Sequence, residues 1–518
     1  MNIAENLERA TRHFSSKPAI VFEDHVLTYG DLQIAVDRTA HGLTGMGVRE
    51  GDRVALFLPN IPAFPIAYLA LQKIGAISVA VNTMLTSDEL HHVLTDSGAQ
   101  TVFTTAALLP QLQPLLGIDA RQECVVLCEG SAPGHPELEG LTSDASGAFN
   151  ARAMSRDAPA AILYTSGTTG KQKGAVLSHG NVVSNMYATG HALRVDPTDR
   201  LLLFLPLFHC FGQNFIMNTA LNSGATIVLH RRFVPEEILT SITKNGVSMF
   251  FGTPTVYIAL LNAGIEPQQL AGVRYYFSAA APMPVEVATR WRETFGRPIH
   301  EGYGLTETSP FASYNHEWVL RPGSVGTPLE MVEMKVVDAD DNDVAPGDWG
   351  EIVIRGPNVM LGYWNRPQET GEALRDGWFH TGDIGYMDAD GYLFLVDRVK
   401  DMINAAGFKI WPREVEEVLY QHPAIKECAV VGVPDSLKGE VAKAVVVLNP
   451  AAPLAAEDLD AYCRAHLASY KVPQQIQFVA ELPKSATGKI LKRVLRAQAL
   501  SDHIPYLAPV HEHGENEE

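Results

Sequence analysis

Short runs of apolar, β-branched and aromatic residues alternate with longer amphipathic stretches through most of the chain. Arg200–Leu205, Ala225–Leu229, Val247–Phe251 and Val273–Phe277 read as buried strands, with Asn181–Leu193, Pro235–Lys244 and Val285–Phe295 as helices between them. Such alternation builds α/β layers around mostly parallel sheets. Beyond Glu330 the texture changes. Val332–Val337, Gly350–Ile354 and Tyr392–Val396 are short strands separated by turns such as Asp338–Asp343 and Asp388-Ala-Asp-Gly391, the pattern of antiparallel hairpins. Pro412 then opens a helix with Val415, Val418 and Leu419 on one face. Strands Ala429–Val433 and Ala444–Leu448 and helix Ala456–Leu467 complete a small α+β unit. The predicted domains are 1–399 and 400–518, with the joint near Lys400 and no Ser/Gly-rich linker. The last eight residues read as a solvated tail.

Composition narrows the function classes. Apolar residues make up 46% and charged residues 19%, which excludes wholesale disorder. The net charge of −19 opposes a nucleic-acid or anionic-membrane protein, although a local basic patch can still bind an anion. Five scattered cysteines without a CxxC read as reduced thiols in the cytoplasm. The N-terminus lacks a signal-peptide core, and prolines and polar residues break the greasiest stretch, Val54–Val81, so no integral membrane segment is expected.

Four motifs carry chemistry. Tyr164-Thr-Ser-Gly-Thr-Thr-Gly-Lys-Gln-Lys-Gly174 lies between a predicted strand at Ala161–Leu163 and a predicted helix near Asn181. Glycines let backbone amides turn inward, hydroxyls add donors and lysines neutralise charge, which together suit a polyphosphate. It is not a Walker A loop, because Gln172 stands where the second glycine would fall and no Gly-Lys-Ser/Thr follows. Glu301-Gly-Tyr-Gly-Leu-Thr-Glu-Thr308 fails the dinucleotide fingerprint at Glu307. Its Tyr303 can face a flat heterocycle, and Thr306-Glu307 suits phosphate with Mg²⁺; a tight turn around a packed tyrosine fits equally. In Gly377-Trp-Phe-His-Thr-Gly-Asp383, the aspartate can accept two ribose hydroxyls or cap its own turn. From Lys484 to Arg496 there are five basic residues and no acidic one. That run is either a solvated helix face or, through Lys489, an anion contact.

These motifs, with DRVKD and PKSATGK, stand in the order and spacing of the adenylate-forming superfamily of acyl-CoA synthetases, peptide-synthetase adenylation domains and firefly luciferase. The resemblance covers nearly the whole chain. LPLFHCFG, FFGTPTVY, LGYWNRPQET and KDMINAAGFKIWPREVEEVL make it most similar to fatty-acid CoA ligases. It implies an α/β fold with a large multi-sheet N-terminal domain of layered subdomains and a small antiparallel barrel-like part, followed by a small mobile α+β domain.

The resemblance also implies ATP, Mg²⁺ and coenzyme A as reactants or cofactors. Thr165, Ser166, Gly167, Thr168, Thr169, Gly170, Lys171 and Lys173 would wrap the phosphates. Ala281, Glu301, Gly302, Tyr303 and Gly304 would line the adenine pocket, with Asp383 and Arg398 on the ribose. Thr306 would contact the α-phosphate and Glu307 would hold Mg²⁺. Lys489 would bridge the carboxylate and α-phosphate in the first step. Lys400 matches a hinge that swaps Lys489 for the Ala405–Lys409 segment, in which Ala406, Gly407 and Phe408 would meet CoA. His209 matches a residue beside the acyl pocket, where a structural histidine is the other reading. Phe208, Phe215, Phe251, Thr253, Pro254 and Ala279 would form the rest of the wall.

Two departures bear on the acid. Ala279-Ala280-Ala281 replaces a segment that usually contains glycine, and Asn404 stands where some aryl-CoA ligases carry lysine. The expected activity is an ATP-dependent ligase for a medium- or long-chain fatty acid. An aryl or short-chain CoA ligase and a stand-alone adenylation enzyme that loads a carrier protein are the alternatives. Only 29 residues follow Lys489, so no fused carrier domain is expected, and the terminal NEE argues against a luciferase-like oxidation. No nucleic-acid partner is expected. A homodimer is left open, since no residue pattern specifies oligomeric state.

Overall fold

The computed structural model describes residues 1–116, 124–142, 147–165, 172–435, 437–450 and 452–503. By contacts the chain divides into two compact units: Met1–Val396 with Ala486–Lys489, and Asp397–Ser485 with the residues from Ile490 onward.

The first unit contains a nine-stranded sheet whose strands are buried apolar runs. Pro18–Phe22, Thr226–Leu229, Arg200–Leu203, Met249–Gly252, Tyr275–Ser278 and Ile299–Gly304 are parallel neighbours, and antiparallel strands close each edge. Continuous apolar strands are expected where both faces of a sheet are covered. The intervening helices carry ordinary start and stop chemistry. Pro235–Asn245 begins with proline and two glutamates and ends at Gly246, whose φ is +59°. The predicted strands and helices recur within a few residues of their expected bounds.

A second, seven-stranded sheet joins Pro159–Thr165, Ile77–Ala80, Arg53–Leu56, Thr101–Thr104 and Cys124–Leu127 in parallel. Strand Lys173–Ser178 folds back antiparallel on Pro159–Thr165. The glycine-rich motif therefore closes a hairpin rather than leading directly into a helix, because Ala175-Val-Leu177 is itself an apolar strand. Helix His179–Ala192 follows, with Ser178 and Asn181 forming a reciprocal capping box. A third sheet, of Glu333–Val337, Gly350–Arg355, Trp378–Met387, Leu374–Arg375 and Leu393–Arg398, is the antiparallel part expected from the hairpin turns.

Lys73 is sealed in the first unit. Its ammonium lies 2.7 Å from Glu8 and 2.5 Å from Asp37, so helix Ala63–Ile74 is tied to helices Glu5–Phe14 and Tyr29–Gly45.

In the second unit, strands Ile425–Asp435 and Gly439–Leu448 form a long antiparallel pair, flanked by Ile403–Ala405, Phe408–Ile410 and Gln475–Phe478. Val430, Ala444 and Val446 pack with Val415, Leu419 and Leu459 on one face. Val431, Val433 and Val445 pack with Leu482 and Leu495 on the other, as the two-residue side-chain alternation of strands requires. All five cysteines are unpaired, and no helix among the described residues is long and apolar enough to cross a membrane.

Candidate active site

Parallel strands of the large sheet end side by side, with Gly252 opposite Ser278 and Ser278 opposite Glu301. Open α/β sheets bind ligands at these carboxyl ends. Many of the residues singled out from sequence follow them: Phe208 and His209 after Arg200–Leu203, Thr253 after Gly252, Ala279 and Ala281 after Ser278, and Thr306 after Gly304.

Tyr303 and Asp383 come together across distant segments, the phenol donating to the buried carboxylate at 2.6 Å. Glu301 is buried, and its Oε2 accepts from the Met283 amide at 3.4 Å. Gly304 is obligatory for packing, since a Cβ there would lie 1.7 Å from the Pro310 carbonyl oxygen. Thr306 begins a short 3₁₀ turn, and its hydroxyl lies 3.5 Å from the Cys210 thiol. Burial pushes the Cys210 thiol up to about 12.

His209 stands at the entry to a π-helical segment, Phe211–Asn218. Burial, and secondarily the Lys489 charge, lower its pKa to about 4. Its Nδ1 accepts from the Phe211 amide at 3.2 Å, which requires that nitrogen to be unprotonated. At neutral pH the ring is uncharged and can donate only through Nε2. Phe215 lies within a cluster of rings: Phe277 stacks on it at 4.9 Å, and Phe211, Phe251 and Phe311 approach edge-on. Thr253 is fully buried, and its hydroxyl lies 3.0 Å from that of Thr255.

Ser166, Gly167, Thr168, Thr169, Gly170 and Lys171 lie outside the described residues. The flanking stems are well defined. Thr165 and Lys173 pair across the hairpin, and Lys173 sits over the Tyr363 ring at 5.3 Å. Tyr164 donates to Asp96 at 2.8 Å, while His92 lies 3.1 Å from the Gln172 carbonyl oxygen. Both stems are thus fastened to one helix, Ser87–Ser97.

Among the described residues no group of three or more His, Cys, Asp or Glu is arranged for a metal. Glu307 is buried, with one carboxylate oxygen accepting from Tyr363 at 2.9 Å. A single carboxylate beside a threonine fits Mg²⁺, which keeps most of its coordination for water and substrate phosphates.

Lys489 groups by contacts with the first unit, as part of Ala486–Lys489. In the second unit, Arg398 closes strand Leu393–Arg398, and Lys400 lies in the next short turn, Val399–Asp401. Ala406 and Gly407 both have left-handed φ, +51° and +91°, in a turn where Asn404 accepts from the Gly407 amide at 3.0 Å. Phe408 is exposed and stacks on Tyr470 at 5.1 Å. The basic run is largely answered locally: Lys484 pairs with Glu427, Lys492 with Glu416 and Arg496 with Asp401.

Comparison with known proteins places this geometry. The AMP-binding enzyme model matches residues 7–364, and that of the AMP-binding enzyme C-terminal domain matches residues 414–489. A long-chain-fatty-acid–CoA ligase of Bacillus subtilis (strain 168) is 36% identical, over 96% of this chain and 94% of its own. The chain belongs to the AMP-binding enzyme family. It is an adenylate-forming acid–thiol ligase. A feruloyl-CoA synthase of Amycolatopsis sp is 37% identical over 91% of this chain and 93% of its own. The crystal structure of the anthranilate CoA ligase AuaEII in complex with anthranoyl-AMP superposes with a TM-score of 0.92 at 30% identity, covering 97% of this chain and 98% of that one.

Several polar residues of this AMP-binding enzyme carry no local motif. Asp96 receives both Tyr164 and Arg366, the latter at 2.7 Å. Tyr363 holds Glu307, and Glu351 holds the turn before Asp383. Tyr363 lies within LGYWNRPQET, a stretch that stood out only for its resemblance. Asp96 and Glu351 have no comparable signal.

Proposed function

We propose that this ligase activates a medium- or long-chain fatty acid. The carboxylate oxygen attacks the α-phosphorus of ATP, pyrophosphate leaves, and an acyl-AMP mixed anhydride results. The CoA thiolate then attacks the acyl carbon, and AMP departs with the electron pair of the broken C–O bond. The observation that supports the fatty acid is similarity to the Bacillus subtilis long-chain-fatty-acid–CoA ligase along nearly the full length of both chains.

The residue roles follow the strand ends. Thr165, Lys173 and the loop between them would cradle the phosphates, and Lys489 would neutralise charge between carboxylate and α-phosphate. Tyr303 would offer its ring to adenine while its hydroxyl stays on Asp383, leaving that carboxylate's remaining capacity for the ribose. Mg²⁺ arriving with ATP would be held by Glu307 and would neutralise phosphate charge. Ala406 and Gly407 would let pantetheine approach closely, and Lys400 would be the hinge between the half-reactions.

An aryl acid is the second reading. The phenylalanine cluster at Phe211, Phe215, Phe251, Phe277 and Phe311 would accept a ring edge-on, and the feruloyl-CoA synthase is a relative of similar identity. AMP release across fatty acids of graded length and several aryl acids, each with and without CoA, separates the two. The fatty-acid reading expects kcat/KM at least about tenfold higher for an alkyl acid. The opposite order would replace it with the aryl reading, and AMP release that CoA does not stimulate would favour a carrier protein as acceptor.

A further inference from the structure

Strand Trp378–Met387 does not run regularly along its partner Gly350–Arg355. Glu351 pairs with Ile384 and Val353 pairs with His380, so three residues, Thr381, Gly382 and Asp383, stand opposite Ile352 alone. Such a bulge re-aims a side chain, but it strips its residues of regular ladder partners. Here side chains supply replacements. The Thr381 hydroxyl donates to the Ile352 carbonyl at 2.7 Å and accepts from the Asp383 amide at 3.1 Å. The Gly382 amide, at a φ of +70°, donates to Glu351 Oε1 at 2.9 Å. The other Glu351 oxygen is held in turn, 3.0 Å from His380 Nδ1 and 3.8 Å from Arg375. Asp383 ends this chain of contacts, buried and bonded to Tyr303.

We propose that Glu351 is a positioning residue for ATP: by holding the Gly382 amide it fixes the bulge that aims the Asp383 carboxylate at the ribose hydroxyls. This rests on the reading of Asp383 as the ribose ligand. In this role Glu351 acts through the Gly382 amide and the bulge rather than on the nucleotide itself.

The test compares ATP with 3′-deoxy-ATP as substrates for adenylation, using the full-length enzyme. Wild type is expected to prefer ATP by about tenfold or more in kcat/KM, the usual effect of losing a hydrogen bond to a charged acceptor. Glu351→Met, close in volume but without an acceptor, is expected to lower kcat/KM for ATP about tenfold while lowering that for 3′-deoxy-ATP less than about threefold, so the preference collapses. Glu351→Gln keeps an acceptor for the Gly382 amide and is expected to hold the preference within about twofold of wild type. A merely structural glutamate would lower both nucleotides equally in both variants. If the methionine variant keeps the wild-type preference, or the two variants lose it together, the positioning role is overturned. If wild type itself does not discriminate, the reading of Asp383 fails instead, and the proposal falls with it.

Discussion

Ala280 has a φ of +71°, the left-handed region that a β-carbon disfavours. Ala280→Gly removes that penalty and is expected to raise unfolding free energy by up to about 1 kcal/mol, read from urea denaturation. The three alanines stood out in the sequence as a departure, but that the middle one would be strained depends on how the strand end turns. His209 gives a pH signature. The unfolded histidine takes up a proton near pH 6.5, and the folded one only near 4, so the unfolded state binds more protons between those values. Stability is expected to be fully present above about pH 6.5 and to decline as pH falls toward about 4. His209→Gln should flatten part of that slope in urea unfolding at graded pH. His179, also lowered to about 4 by burial, should retain part of the rest, together with His230, His300 and His316, whose pKa values burial also lowers. Residues within compact motifs, such as Tyr303, Glu307 and Asp383, were legible from the sequence as candidates. Asp96 and Glu351 were not, since their partners lie far along the chain or on a neighbouring strand that only the folded register supplies.

At the scale of elements, strands and helices of the large sheet were legible because continuous apolar runs and capping residues report local structure directly. The hairpin at Tyr164–Gly174 was not, since the apolar run after it is as compatible with a loop entering a helix as with a returning strand. The π-helical turn at Phe211–Asn218 has no periodicity that distinguishes it from an ordinary helix. Nor does a lysine inside an apolar helix announce its partners. Lys73→Met would leave Asp37 buried without a counter-charge and is expected to cost about 3–5 kcal/mol, measured by urea unfolding. Adding Asp37→Leu removes the orphaned carboxylate, and most of the loss should be recovered in the double variant.

For the whole molecule, Lys489→Ala offers the most direct assay. Acyl-AMP formation is expected to fall about a hundredfold or more, while transfer from supplied acyl-AMP to CoA stays within about threefold of wild type, both followed in single turnover. An equal loss in both half-reactions would remove the assignment of Lys489 to the first. The order of motifs along the chain made the family legible; the identity of the acid was not, because the proposed wall of phenylalanines would accept an alkyl chain or a ring alike. Cys210 has a consequence for any enzyme working through an acyl-phosphate anhydride. Such an intermediate would acylate a nearby thiolate and poison its own maker. With its thiol held near Thr306 and its pKa raised to about 12, Cys210 stays protonated; with Thr306 on the α-phosphate as proposed, the reactive intermediate would be left for the thiol that arrives from outside.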